Sequence, residues 1–201
     1  MVKNVMFDVG GVLCRWDRHY VLSQFFAEED IPVVEPPLFE RWLEMDAGTM
    51  EYEDYMREVT PRITERLRPQ AGRFFQDWYY AMTPIEDMWV LVARLLARRV
   101  PLYLLSNGSK PYARRLHELC PLLDCFEAEL VSADVRMMKP HADIYELAAR
   151  EFGIDPAETV FIDDVQENVD GAIACGYRAL HYTGDAAALL VELESLMAPG
   201  D

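Results

Sequence analysis

The stretch Val5-Met6-Phe7-Asp8-Val9-Gly10-Gly11-Val12-Leu13 constrains this chain more than any other. An apolar run without polar alternation reads as a short strand covered on both faces, the pattern of a parallel sheet. The run stops at one carboxylate, and Gly10-Gly11 then allow a sharp turn and a close approach of backbone to ligand. In an open parallel sheet the ligand crevice lies at the carboxyl ends of the strands. Asp8 stands at such an end, as a candidate nucleophile or metal ligand. Alone, the stretch is also satisfied by a strand and an Asp-containing turn, so the later segments decide.

Two later apolar runs end in the same kind of place. Residues 100–105 lead into Ser106-Asn107-Gly108, and residues 159–162 into Asp163-Asp164. Helical patterns alternate with them over residues 110–119, from Lys139-Pro140 to Phe152 with Gly153 as the stop, over 168–175 and over 186–197. Shorter strands are expected at 128–131 and 179–182. Thr83-Pro84-Ile85-Glu86 reads as a helix start, with Thr as N-cap, Pro at the first helical position and Glu three residues after the cap. This alternation predicts an α/β fold, a doubly wound parallel Rossmann-like sheet.

Residues 16–82 read differently. Aromatic and apolar residues recur there at helical spacing, predicting four short helices. The second is expected to begin at Pro36-Pro37 and to carry Leu38, Trp42 and Met45 on one face. The predicted organisation is a Rossmann-like core from 1–15 and 83–201 with a small helical cap from 16–82. Trp16, Tyr20 and Trp42 are cap aromatics whose expected role is packing before substrate contact.

The 201 residues carry a formal net charge of −16. That argues against nucleic acid and anionic membrane as partners. It also requires any phosphate substrate to find local positive charge, backbone N–H groups or a metal ion. No apolar run approaches the ~20 residues that span a bilayer. The short run after Lys3 does not resemble a signal peptide, so a cytoplasmic protein is expected. Cys14, Cys120, Cys125 and Cys175 form no C-x-x-C pair, and reduced, mostly buried thiols are expected.

If the sheet is parallel, Asp8, Ser106-Asn107, Lys139 and Asp163-Asp164 reach one edge. Carboxylates suit a hard cation such as Mg²⁺, and Lys139 supplies the positive charge that the chain otherwise lacks. Ser106 and the loop N–H groups suit phosphate oxygens. Each piece has an ordinary reading as a turn, a loop or an N-cap; their common position favours a site.

Phe7-Asp8-Val9-Gly10-Gly11-Val12-Leu13, Leu105-Ser106-Asn107-Gly108, Lys139-Pro140, and Ile162-Asp163-Asp164 with Asn168 resemble the four motifs of the haloacid dehalogenase superfamily. They are most similar to its sugar-phosphatase-like group. The resemblance implies a phosphohydrolase acting on a small phosphorylated metabolite, with a sugar phosphate as a candidate, through an aspartyl-phosphate on Asp8. It implies Mg²⁺ held by Asp8, the Gly10 carbonyl and Asp163, with Asp164 or Asn168 in support. Ser106, Asn107 and Gly108 would bind the phosphoryl group, and Lys139 would neutralise charge.

The pattern departs at Gly10, where most phosphatases of the superfamily carry a second Asp as general acid and base. Asp17 and His19 are the nearest replacements in sequence, although a surface or hinge role is the expectation for both. Other readings are a substrate with a good leaving group, or a weak relative that binds a phosphorylated ligand. A 2-haloacid dehalogenase also dispenses with the second Asp. It ranks below phosphatase because Asp163-Asp164 would repel an anionic haloacid.

Overall fold

The computed structural model describes residues 1–198. Its centre is a five-stranded sheet built from β1 (Asn4–Phe7), β4 (Leu102–Ser106), β5 (Ala128–Val131), β6 (Thr159–Asp163) and β7 (Arg178–His181). The spatial order is β5-β4-β1-β6-β7, and every pairing is parallel. Period-2 alternation divides the strand residues between two apolar clusters. Val5, Phe7, Leu102, Leu104, Val160 and Ile162 face one side. Met6, Tyr103, Leu105 and Phe161 face the other. Both faces are covered, so the strands read as continuous apolar runs rather than alternating ones.

The helical insert lies between two short strands, β2 (Cys14–Arg15) and β3 (Thr83–Pro84), which pair antiparallel. It contains α1 (Arg18–Ser23), α2 (Ile31–Phe39), α3 (Trp42–Asp46), α4 (Tyr52–Val59) and α5 (Arg68–Asp77). Its buried residues, among them Leu38, Trp42, Phe74 and Trp78, are continuous with the cluster on the first sheet face.

On that face lie α6 (Glu86–Ala97), α7 (Lys110–Leu119) and α11 (Ala186–Met197). The short α8 (Ser132–Val135) follows β5 directly. The second face is covered by α9 (Ala142–Phe152), with α10 (Gln166–Ala174) beside it. Among the described residues no helix is long and apolar enough to cross a membrane.

Four sequence expectations change. Thr83-Pro84 is not a helix start: it forms the second strand of the β2–β3 ribbon, and α6 begins at Glu86 behind Ile85. Pro36-Pro37 does not open α2 but lies inside it; the helix starts at Ile31, with Pro32 in its first turn. The carbonyls that lose donors to these two prolines belong to the exposed Pro32 and Val33. The face expected to join Leu38 with Trp42 and Met45 is divided between α2 and α3. The cysteines also differ from expectation. Cys14 and Cys120 are buried with sulfurs 3.3 Å apart, whereas Cys175 is half-buried and Cys125 exposed.

Candidate active site

Because the sheet is parallel, β1, β4 and β6 deliver their C-terminal residues to one rim. Asp8 follows β1, and its N–H donates to the Ile162 carbonyl at 2.9 Å. Ser106 ends β4 and Asp163 ends β6. Lys139 reaches the same point from the loop before α9. Its ammonium lies 2.8 Å from Asp8 Oδ1 and 2.7 Å from Asp163 Oδ2, and it donates to the Leu105 carbonyl at 3.0 Å. The Lys139 side chain has no exposed surface.

Asn107 holds that loop in place. Its side chain accepts from Lys139 N–H and donates to the Lys139 carbonyl, both at 3.0 Å. This two-way contact sits beside the cis Lys139-Pro140 bond. Asp163 is saturated: besides Lys139 it accepts from Val165 N–H and, at both oxygens, from the Asn168 amide. It therefore acts as an anchor behind the surface.

Asp164 is the contrasting case. Its Oδ1 is buried with no hydrogen-bond partner. Oxygens of Asp8, Asp163 and Asp164 lie within 4.8 Å of one another. An orphaned buried carboxylate oxygen beside two more carboxylates is the donor set of a hard cation. Gly11 makes the close approach possible. Its φ is +83°, and a Cβ there would fall 2.0 Å from Asp164 Oδ2.

Burial pushes the Asp8 carboxyl up to about 7, with Lys139 opposing and Asp163 adding to the rise. Burial works against the Lys139 ammonium, but Asp8 and Asp163 outweigh it and its pKa is raised. Asp164 is raised by burial and then by Asp163. A cationic ligand would reverse this pressure on the carboxyls, since an opposite charge nearby favours the ionised form.

In front of Asp8 is a cavity of about 250 Å³ lined by Asp8, Gly10, Asn107, Gly108, Lys139, Asp164 and Asn168 at its polar end. The opposite walls are Trp16, Trp42, Trp78, Met82 and Tyr112, with Arg18 and Asp46 among them. Ser106 is not part of this lining. It is 1% exposed, and its hydroxyl points to the Asn107 carbonyl at 3.4 Å. The Gly108 N–H, expected to serve phosphate, donates to Ser132 Oγ at 2.9 Å.

Trp16 and Trp42 line the cavity in addition to packing in the insert, whereas Tyr20 is 45% exposed. Asp17 caps α1 by accepting from Tyr20 N–H, and His19 pairs with Glu28 at the surface. Neither lines the cavity, as expected for surface residues. Nothing in the local sequence pattern of Asp46, Arg18 and Tyr112 ties them to Asp8; the fold alone brings them to the cavity.

Comparison with known proteins gives the same relationship. A sesquiterpene phosphatase of Aspergillus oryzae is 29% identical over 195 residues, covering 97% of this chain and 96% of its own. An (S)-2-haloacid dehalogenase of Xanthobacter autotrophicus is 35% identical over 102 residues, 49% of this chain and 38% of its own. A haloacid dehalogenase family enzyme of Bacteroides thetaiotaomicron, solved with magnesium and inorganic phosphate, shares the fold. Its TM-score is 0.76 at 23% identity, over 94% of this chain and 99% of that one. Residues 2–176 match the haloacid dehalogenase-like hydrolase family, and with that span the chain belongs to it.

Proposed function

We propose that this hydrolase is a Mg²⁺-dependent phosphatase of small organic monophosphates that works through an aspartyl-phosphate on Asp8. The observation that carries the reading is the buried Asp8–Lys139–Asp163 arrangement beside the unpartnered oxygen of Asp164. A carboxylate and a phosphate repel each other unless positive charge stands between them. Lys139 supplies one such charge. Asp8, the Gly10 carbonyl and Asp164 would hold Mg²⁺, with Asp163 as the anchor that Val165 and Asn168 keep in place. When bound, the cation would offset charge on the phosphoryl oxygens, the main demand of phosphoryl transfer.

Asp8 then attacks phosphorus, and the ester oxygen departs. Water later attacks the phosphoryl group and releases inorganic phosphate. The Asn107 backbone N–H is proposed to touch the transferring group, while the Asn107 side chain keeps Lys139 in position; Ser106 would serve only if its hydroxyl turned from the Asn107 carbonyl toward the cavity. The helical insert acts as a cap that excludes water during the first step. The proposed organisation remains 1–15 and 83–201 as core and 16–82 as cap.

The cavity walls favour an organic part with a compact apolar body over a polyhydroxylated sugar. Tryptophan and methionine offer few partners to a ring of hydroxyls, and unpaired buried hydroxyls are costly. Tyr112 contributes one buried phenolic oxygen with no partner, suited to a single oxygen on the ligand. The relative named as a sesquiterpene phosphatase points the same way. Phosphate release should be assayed with Mg²⁺ on prenyl, benzyl and sugar monophosphates. Turnover that disappears in Asp8→Asn and in EDTA supports the reading; equal slow hydrolysis by wild type and variant overturns it.

The dehalogenase reading has the shorter match to the Xanthobacter enzyme in its favour. Asp164 opposes it, since a second carboxylate beside Asp8 repels a haloacid. Halide release from 2-chloropropionate without added metal would reverse that ranking.

A further inference from the structure

We propose that Asp46, carried by the helical insert, is the acid and base of the reaction that Gly10 leaves without one. The inference rests on the phosphatase reading above. Gly10 lines the cavity with no side chain, and a Cβ built there would meet only Trp16, at 3.6 Å and beyond. The titratable side chains of the lining are Asp8, Arg18, Asp46, Tyr112, Lys139 and Asp164. Asp8 is the nucleophile. Lys139 is locked between two carboxylates, and Asp164 faces the cation position. Arg18 does not release its proton in a protein. Burial lifts the Tyr112 phenol well above its ordinary value. Asp46 is what remains.

Its position is fixed from the catalytic side rather than from the insert alone. The Asp46 carbonyl accepts from Ser132 Oγ, and that same hydroxyl accepts the Gly108 N–H at the end of β4. Two residues on, Gly48 has φ +65° and packs on α8 so tightly that a Cβ would fall 2.3 Å from the Ala133 carbonyl. Asp46, the last residue of α3, is thereby pinned to the rim that carries Asp8.

The groups around the Asp46 carboxyl come from four elements. Arg18 of α1, Trp42 of α3 and Tyr112 of α7 share the cavity wall with it, and Tyr55 of α4 lies within reach of its charge. Burial raises the carboxyl to about 7, while the Trp42 indole N–H and the Arg18 charge pull it back. A group poised near neutrality holds a proton to give and, once ionised, can take one back.

The balance of the two steps is simple. As Asp8 Oδ bonds to phosphorus, the bond from phosphorus to the ester oxygen breaks and its electron pair stays on that oxygen. The oxygen takes the Asp46 proton and leaves as an alcohol. Asp46, now a carboxylate, removes a proton from water as the water oxygen attacks phosphorus. The Asp8–phosphorus bond breaks, inorganic phosphate leaves, and both side chains return to their starting forms.

The test compares benzyl phosphate, whose alkoxide must be protonated, with 4-nitrophenyl phosphate, whose leaving group needs no proton. Asp46→Asn keeps the side-chain shape and the main-chain bond to Ser132. It should lower kcat/KM for benzyl phosphate by ~10²–10⁴-fold. The first-turnover burst of 4-nitrophenol should stay within about tenfold of wild type on the same scale. Acid-quenched variant should then retain hydroxylamine-sensitive phosphate on Asp8. Asp46→Glu should restore part of the benzyl phosphate activity. Equal losses on the two esters, or full retention on both, overturn the role of Asp46 alone. No turnover of either ester by wild type with Mg²⁺ overturns the phosphatase reading and this one with it.

Discussion

Lys139→Met isolates what the buried ammonium does for the fold. Methionine keeps most of the aliphatic stem and removes the charge that lies 2.8 Å from Asp8 and 2.7 Å from Asp163. Two carboxylates are then left facing each other out of water. Deleting one partner of a buried ion pair costs ~3–5 kcal/mol, and that is the loss expected at neutral pH. Its pH dependence follows from Asp8. In the wild type, burial and Asp163 hold Asp8 near 7 against the pull of Lys139. Without the ammonium the folded value rises further, while the unfolded value stays at ~3.9.

Between those values the folded chain holds the proton and the unfolded chain does not, so stability falls as pH rises. Wild type levels off above about 7 as Asp8 ionises. The variant goes on losing ~1.4 kcal/mol per pH unit. From pH 7.0 to pH 8.5 the variant should lose ~2 kcal/mol and wild type ~0.4, so the gap between them should widen by ~1.6 kcal/mol. Urea unfolding in EDTA at the two pH values measures it, with cation binding kept out of the comparison. A gap of the same size at both would refute the claim that Lys139 governs the ionisation of Asp8.

Mg²⁺ should raise the stability of wild type by RT ln(1 + [Mg²⁺]/Kd), or ~2.7 kcal/mol at a hundred times Kd; in Asp164→Asn a thermal-shift titration should show little of that gain. Gly11→Ala places a Cβ against Asp164 in a left-handed conformation. It should cost ~1–2 kcal/mol in backbone strain and abolish the Mg²⁺ shift. Gly48→Ala collides with the Ala133 carbonyl; chemical denaturation should show a loss of ~1–3 kcal/mol, with slower turnover of alkyl monophosphates. Tyr112→Phe removes a buried hydroxyl that has no partner, and the expected outcome is ~1 kcal/mol of added stability in a urea melt.

How much of this was legible in the sequence depends on which interactions are local. The strand ends were legible because a parallel sheet needs apolar runs, and in such a sheet Asp8, Ser106 and Asp163 must share one rim. Lys139 was legible because the Lys-Pro pair falls between β5 and β6 in a motif order with few alternatives. Thr83-Pro84 misled because helix-start chemistry also suits a residue pair entering a ribbon, and pairing with Cys14–Arg15 is a tertiary event. Trp42 carries an apolar periodicity that is the same for a core wall and a cavity wall. Asp46 gave no signal at all. Its relation to Asp8 runs through Ser132 and Gly108, residues far from it in sequence.

The β2–β3 ribbon joins the outgoing and returning chains of the insert side by side. Ile85 N–H and the Trp89 indole both donate to the Leu13 carbonyl, tying the return strand to the departing one. Two crossings fastened at one spot fix the ends of the insert against each other and against sliding. Asp46 is held at a separate point, through the Ser132 hydroxyl. Were the insert to rotate about the ribbon, the Ser132–Asp46 bond and the place of Asp46 in the cavity wall would be lost together, so the proposed acid is present only where the insert is seated on the core.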